Sequence, residues 1–238
     1  VWQISRTKSK TTGFWFMCRT MMTLLPVVGL VGSNNLSTAV IILGIGVMLI
    51  FVANPRYLQF LALGSAGVGF IAVFLAAESY RLERLAIWRD PEKYEKGFQT
   101  IQGLYAIGSG GLFGRGIGNS IQKLGFVPEA QNDMIFSIIC EELGIFGAIC
   151  IILLFIFMIR RMRVVACNAP NFFGSMIVIG VMAQISMQVV LNIAVVTNSM
   201  PNTGVSLPFI SYGGTSLVFL MAEMGLVFSV SKSVKKIR

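Results

Sequence analysis

The sequence predicts an all-α polytopic membrane protein that crosses a bilayer about six times and carries one long polar segment on one side. Three observations predict it. Of 238 residues, 55% are hydrophobic and only 12% charged, whereas soluble domains carry about 25% charged residues. So few polar groups cannot cover a water-soluble fold, and lipid must replace water over much of the surface. Apolar runs of about 20 residues, long enough to span a hydrocarbon core as a helix, recur along the chain. The charges that do occur are sorted into the gaps between those runs.

The first span is expected over residues 13–32, with Arg19 near its inner end. Ser33-Asn34-Asn35 reads as a turn and residues 36–53 as the second span. Asn54-Pro55-Arg56 ends that helix, because proline lacks an amide hydrogen and clashes with the preceding turn. Residues 57–77 form the third span, and from Glu78 to Asp133 the composition turns polar and glycine-rich. Apolar character returns over 134–159 and stops at Arg160-Arg161-Met162-Arg163. Residues 164–222 carry no charge and are too long for one crossing; Pro201, Asn202, Gly204 and Pro208 divide them, placing spans over 172–197 and 215–230. The organisation is therefore three spans in 1–77, a long loop in 78–133, and three spans with a short tail in 134–238. The chain opens at Val1 with a basic stretch (Arg6, Lys8, Lys10) and shows no signal-peptide pattern, so an N-terminal part preceding it is expected.

The net charge of +9 matters less than its distribution. The termini, 54–56 and 160–170 hold twelve Lys and Arg and no acid; the long loop and the helix edge after it hold the other seven and nine of the ten acids. The positive-inside rule then puts both termini in the cytoplasm and the loop outside, and no nucleic-acid partner is called for. Cys18, Cys140, Cys150 and Cys167 form no C-x-x-C pair and read as small core residues. Histidine is absent, so acid–base work falls to carboxylates.

Asp133 stands at the outer mouth of the fourth span. It reads equally as a carboxylate at the positive end of a helix dipole and as a general base facing a groove at the membrane surface. Glu141 and Glu142 lie deeper in the same run, where ionisable groups are expensive; pairing with an Arg or a backbone amide is the expectation for both. Gln184, Gln188 and Asn192 recur at helical spacing on one face and read as bonds between helices rather than the lining of a wet path. Glycines at 111, 114, 116 and 118 suggest phosphate-cradling loops only weakly, and an ordered turn is expected. Arg81, Arg84, Arg115 and Lys123 are nevertheless available to neutralise a pyrophosphate at the headgroup level, and Arg81 and Arg84 read equally as snorkelling anchors at the end of the third span. Pro201–Ser216, with two prolines and three glycines, must follow a fixed non-helical path that lines a cavity near the outer surface.

That last segment, with its Leu-Pro-Phe-Ile-Ser-Tyr-Gly-Gly-Thr-Ser core, resembles the signature of the SEDS family (shape, elongation, division and sporulation; FtsW, RodA, SpoVE). Val127–Gly144 resembles the family's loop-to-helix motif: Pro-Glu, an Asp-centred triplet, then Glu-Glu-Leu-Gly. Tyr80-Arg81-Leu82, Gly97-Phe98-Gln99 and Gly108–Gly118 follow the family order, and Gly118–Lys123 with Pro-Glu-Ala looks more like the FtsW cell-division type than RodA, with the sporulation type left open as an alternative. One departure is Gln131-Asn132 where the family commonly has His-Thr.

The resemblance implies the C-terminal six helices of a ten-helix bundle in the bacterial cytoplasmic membrane. It implies a peptidoglycan glycosyltransferase that polymerises lipid II and expels undecaprenyl pyrophosphate. Its partners would be undecaprenyl-linked glycan, a class B penicillin-binding protein and other divisome proteins. Asp133 matches the family's catalytic aspartate, and Arg81, Arg84, Gln99, Lys123, Glu129, Ser211 and Tyr212 are the expected substrate contacts. A divalent cation (Mg or Mn) is the one cofactor left open, with no organic cofactor. The competing expectations are a lipid II flippase, favoured by the Gln184–Asn192 stripe, and a non-catalytic division scaffold.

Overall fold

Apolar segments in lipid have only their own turns to satisfy backbone polar groups, so they become helices. The computed structural model describes residues 14–53, 64, 65, 67, 69, 79–125, 127, 128 and 130–234. Among these, the helices are α1 (Phe14–Asn34), α2 (Leu36–Ala53), α3 (Ser79–Arg89), α4 (Phe98–Gly110), α5 (Ile135–Asn168), α6 (Phe172–Val196) and α7 (Gly214–Ser233). Four of them, α2, α5, α6 and α7, are long and apolar enough to cross a membrane. The span expected over 57–77 lies outside the described residues except at four positions. The turn expected at 33–35 shrinks to Asn35, whose Oδ1 accepts the Thr38 amide at 3.1 Å and so caps α2.

Two features depart from the sequence expectation. The polar stretch after residue 78 is largely helical: it holds α3, α4 and the 3-10 turns Pro91–Lys93, Glu95–Gly97 and Gln122–Leu124. In addition, α5 is not one straight span ending at 159. It breaks at Gly144 (φ 67°, ψ −167°) and then runs on to Asn168, past the arginines that mark its expected end. Long arginine stems can lie along apolar surface with their heads in water, so a basic cluster need not stop a helix.

The glycine-rich loop after α4 makes that break tolerable. A broken helix orphans carbonyls before the break and amides after it. Here the Glu141 and Glu142 carbonyls accept the Arg115 and Gly116 amides, each at 2.9 Å. The Ile145 and Phe146 amides donate to the Gly111 and Leu112 carbonyls at 3.0 and 3.1 Å. A Cβ on Gly144 would strike the Gly114 amide and the Leu112 carbonyl, and one on Gly114 would strike the Glu142 carbonyl.

The chain divides into two compact units. One gathers Val1–Phe70, Met158–Met187 and Val218–Arg238. In it, α1 and α2 pack through Met21, Leu24 and Ile50, and Gly44 leaves room for the Met187 side chain. Gln184 Nε2 donates to both oxygens of Glu223, at 3.0 and 3.1 Å, tying α6 to α7. The other unit gathers Ile71–Phe157 and Gln188–Leu217. Its part of α5 turns Phe146, Leu154 and Phe157 outward, each more than 60% exposed, as a lipid-facing surface requires. Cys140 is buried as expected, whereas Cys150 stands on this exposed face.

Candidate functional site

The site is built in the second unit, on backbone that is held at several points. The carbonyls of Gln131, Asn132 and Asp133, three in succession, each accept a hydrogen bond. Their donors are the Tyr212 amide at 2.8 Å, Ser211 Oγ at 2.7 Å and Asn192 Nδ2 at 2.7 Å. Asn192 is 1% exposed and also donates to the Val205 carbonyl at 2.8 Å, so its amide stitches the two chain segments together. Asn192 and Gln184 thus serve the bonding role expected of their stripe.

The Leu207–Ser211 turn that supplies Ser211 is closed by the Ser211 amide on the Leu207 carbonyl at 3.0 Å. Ser211 Oγ also accepts the Leu207 amide at 2.7 Å. Phe209 sits there at φ 64°, a conformation that costs a non-glycine residue roughly 1–2 kcal/mol and persists only where the surroundings impose it. Helix α6 ends in a Schellman arrangement: Asn198 is left-handed (φ 54°), its amide reaches the Val195 carbonyl and the Ser199 amide reaches that of Ala194. The Asn198 carbonyl is thereby turned to accept Trp88 Nε1 of α3 at 2.9 Å.

Between these segments lies a cavity of about 300 Å³. Helix α3 lines it with Glu83, Arg84, Ile87 and Trp88, the first turn of α4 with Gln99 and Thr100, and the chain after α6 with Asn198, Asn202, Thr203 and Gly204. Asp133 completes the wall. Gln99 Nε2 donates to Asp133 Oδ1 at 3.3 Å and to the Pro128 carbonyl at 3.3 Å. Gln99 Oε1 accepts Asn202 Nδ2 at 3.1 Å, and Arg84 Nη1 donates to the Asn202 carbonyl at 3.3 Å. Two carboxylates, a guanidinium and three carboxamides therefore meet in one concave, half-polar space.

Of the residues singled out from sequence, Asp133, Arg84 and Gln99 converge on this cavity. Arg81 belongs to α3, one turn before Arg84, but its side chain falls outside the described part, as does Glu129 altogether. Ser211 and Tyr212 hold the segment before Asp133, Ser211 through its hydroxyl and Tyr212 through its amide, while the Tyr212 side chain is 75% exposed.

Lys123 is drawn elsewhere. Its Nζ contacts Glu142 Oε1 at 2.6 Å and the Gly118 carbonyl at 2.7 Å. Beside it, buried Glu141 accepts Ser120 Oγ at 2.5 Å and the amides of Ile121 and Gln122 at 3.2 and 3.3 Å, with Arg115 3.5 Å away. Both glutamates are thus paired as expected, and they fasten the glycine-rich loop. Sequence reasoning missed Trp88 and Asn202 as parts of the site. The available signals were the four-residue spacing from Arg84 to Trp88 on one helix face and the Asn-x-Gly sequence of a side-chain-closed turn.

The chain is similar to known proteins. The sequence profile of FtsW/RodA/SpoVE, described as a cell cycle protein family, fits residues 2–236. Stage V sporulation protein E of Bacillus subtilis (strain 168) is 43% identical over 203 residues, 83% of this chain and 55% of that protein. A probable peptidoglycan glycosyltransferase FtsW of Saccharophagus degradans is 41% identical over 205 residues, 84% of this chain and 53% of that protein. The chain thus spans about half the length of these relatives. Among solved structures, a chain from work on polymerization and crosslinking by a peptidoglycan synthase complex superposes with a TM-score of 0.74 at 25% identity, over 98% of this chain and 67% of that one. The rod shape determining protein RodA of Thermus thermophilus gives 0.63 at 25% identity, over 99% and 62%. With a profile that fits nearly end to end and relatives above 40% identity, the chain belongs to the FtsW/RodA/SpoVE family of cell cycle proteins.

Proposed function

We propose that the protein is a peptidoglycan glycosyltransferase that polymerises lipid II at the outer face of the bacterial cytoplasmic membrane, in septal wall synthesis. The observation that carries this reading is the Asp133 carboxylate in the wall of a polar cavity, on backbone fixed at three consecutive carbonyls. A catalytic base must be held in place before substrate arrives, and such tethering supplies that. In the proposed step Asp133 takes the proton from the acceptor sugar's 4-hydroxyl. The hydroxyl oxygen forms a bond to the donor's anomeric carbon, and the anomeric carbon–oxygen bond breaks with its electron pair leaving on undecaprenyl pyrophosphate.

That leaving group needs positive charge. Arg84 supplies it at the cavity wall, with Arg81 one turn away on the same helix. Lys123 and Arg115 are engaged by Glu142 and Glu141. Gln99 and Glu129 remain proposed contacts for the sugar head, and Ser211 and Tyr212 act through the loop they hold. Among the described residues no three His, Cys, Asp or Glu side chains converge on a metal-sized space. Magnesium or manganese, however, needs only one or two carboxylates besides substrate phosphates, and Asp133 and Glu83 line the same cavity. When bound there, such a cation would neutralise pyrophosphate charge.

The wider proposal is the C-terminal six spans of a ten-helix bundle. It places residues 78–133 outside and both ends of this chain in the cytoplasm, and pairs the protein with a class B penicillin-binding protein and other divisome proteins. A flippase would use the Gln184–Asn192 stripe as a polar path, but the amide nitrogens of Gln184 and Asn192 are engaged by Glu223 and by backbone carbonyls.

The test is lipid II polymerisation by the complete protein with its penicillin-binding partner, wild type against Asp133→Asn. Glycan strands from the wild type and none from a folded mutant are expected. Equal strands from both would remove Asp133 from the chemistry, and none from either would return the transporter and scaffold readings.

A further inference from the structure

The cavity contains a chain of amide groups whose polarity is fixed from one end. Amide oxygen and nitrogen are assigned from their bonding partners, and here the first partner leaves no choice. The Gly204 backbone N–H can only donate, and it donates to Asn202 Oδ1 at 3.1 Å, closing an Asx turn. The other end of that carboxamide, Nδ2, must therefore be the donor to Gln99, at 3.1 Å. Gln99 meets it with Oε1, which leaves Nε2 as the group facing Asp133 Oδ1 and the Pro128 carbonyl. Both of those are acceptors, so every link agrees with the next.

We propose that Asn202 is a positioning residue for Asp133: held by the Gly204 amide, it locks the Gln99 carboxamide with its nitrogen toward the Asp133 carboxylate. Without that lock Gln99 can rotate by half a turn and present its oxygen to a carboxylate, replacing a charge-assisted hydrogen bond with a repulsion. The device sets which carboxylate oxygen receives the Gln99 hydrogen bond, and with it the orientation in which the base is held. Glu83 and Arg84 line the same cavity, and Arg84 Nη1 bonds the Asn202 carbonyl at 3.3 Å, so the turn is braced from α3 as well. Gln99, expected from sequence as a substrate contact, has both ends of its amide occupied within this chain. Its proposed contact with the sugar is thereby joined by a second role, orienting the base.

The inference rests on the proposed glycosyl transfer, and its test reads both separately. In the complete protein with its partner, Asn202→Ala should lower the rate at saturating lipid II about tenfold while leaving KM little changed. Asn202→Asp is nearly isosteric and keeps an oxygen for the Gly204 amide, yet it loses the donor toward Gln99. It should be worse, about a hundredfold down.

In a Gln99→Ala background neither change should cost anything further, because Asn202 acts only through Gln99. Additive losses, or an Asn202→Asp protein as active as wild type, would overturn the proposal. A second readout needs no turnover. The carboxylate stretch of Asp133, isolated as the infrared difference between wild type and Asp133→Asn, should move in Asn202→Ala as it does in Gln99→Ala. An unmoved band overturns the relay even if strands are made; a moved band without strands upholds the relay and sinks the glycosyl-transfer reading.

Discussion

At the scale of single residues, the most consequential groups are ones whose partners lie far away in sequence. Glu141 is 1% exposed and accepts from a hydroxyl and two amides of the loop, with Arg115 beside it. Removing its carboxylate leaves all of those donors unmatched in a dry site. Glu141→Ala should therefore cost about 3 kcal/mol or more, whereas Glu141→Gln, which keeps one acceptor oxygen, should cost less than half of that. Thermal unfolding in detergent, ranked wild type, Gln, Ala, is the check; equal midpoints for Ala and wild type would mean the loop is fastened by other means. Asp133 was legible in the sequence because a motif surrounds it, and Glu141 because a carboxylate in an apolar run needs a partner. Asn202 was legible only as a helix breaker. Its meaning depends on a bond to Gln99, 103 positions away, and no local pattern encodes that.

At the scale of elements, the length of the apolar runs located α2, α6 and α7 to within a few residues, since lipid leaves a long apolar run no alternative to a helix. Run length could not find the break in α5, because residues on both sides of it are equally apolar and the interruption is a single glycine. The glycine-rich loop reads from the sequence as an ordered turn, and in the structure it caps the two halves of that break. Gly144 lies in a region of backbone space reserved almost wholly for glycine and touches Gly114 backbone. Gly144→Ala should accordingly lose about 3 kcal/mol. Gly118→Ala is the control: its φ of 85° is also positive, but a Cβ there meets nothing within 4 Å. It should lose only about 1 kcal/mol. If the two substitutions proved equally mild in unfolding measurements, the close approach of the loop to the break would not be what holds it.

At the scale of the whole molecule, the proposed chemistry depends on which side of the membrane the Asp133 cavity opens. The sequence argues this by charge alone: basic residues without acids flank one set of span ends, and nearly all acids lie in the stretch between residues 78 and 142. Seven basic residues share that stretch, so the asymmetry comes from the acid-free segments rather than from a base-free loop. Tyr94 and Asn171 are exposed and lie on opposite sides of that argument. With the native cysteines replaced, a cysteine at Tyr94 should react with a membrane-impermeant thiol reagent in intact cells. One at Asn171 should react only after permeabilisation. The reverse labelling would put the cavity in the cytoplasm, where a polymerase would extend glycan on the wrong face of the membrane. The enzyme proposal would then fail whatever Asp133 does, because the geometry of a base matters only where its substrate is delivered.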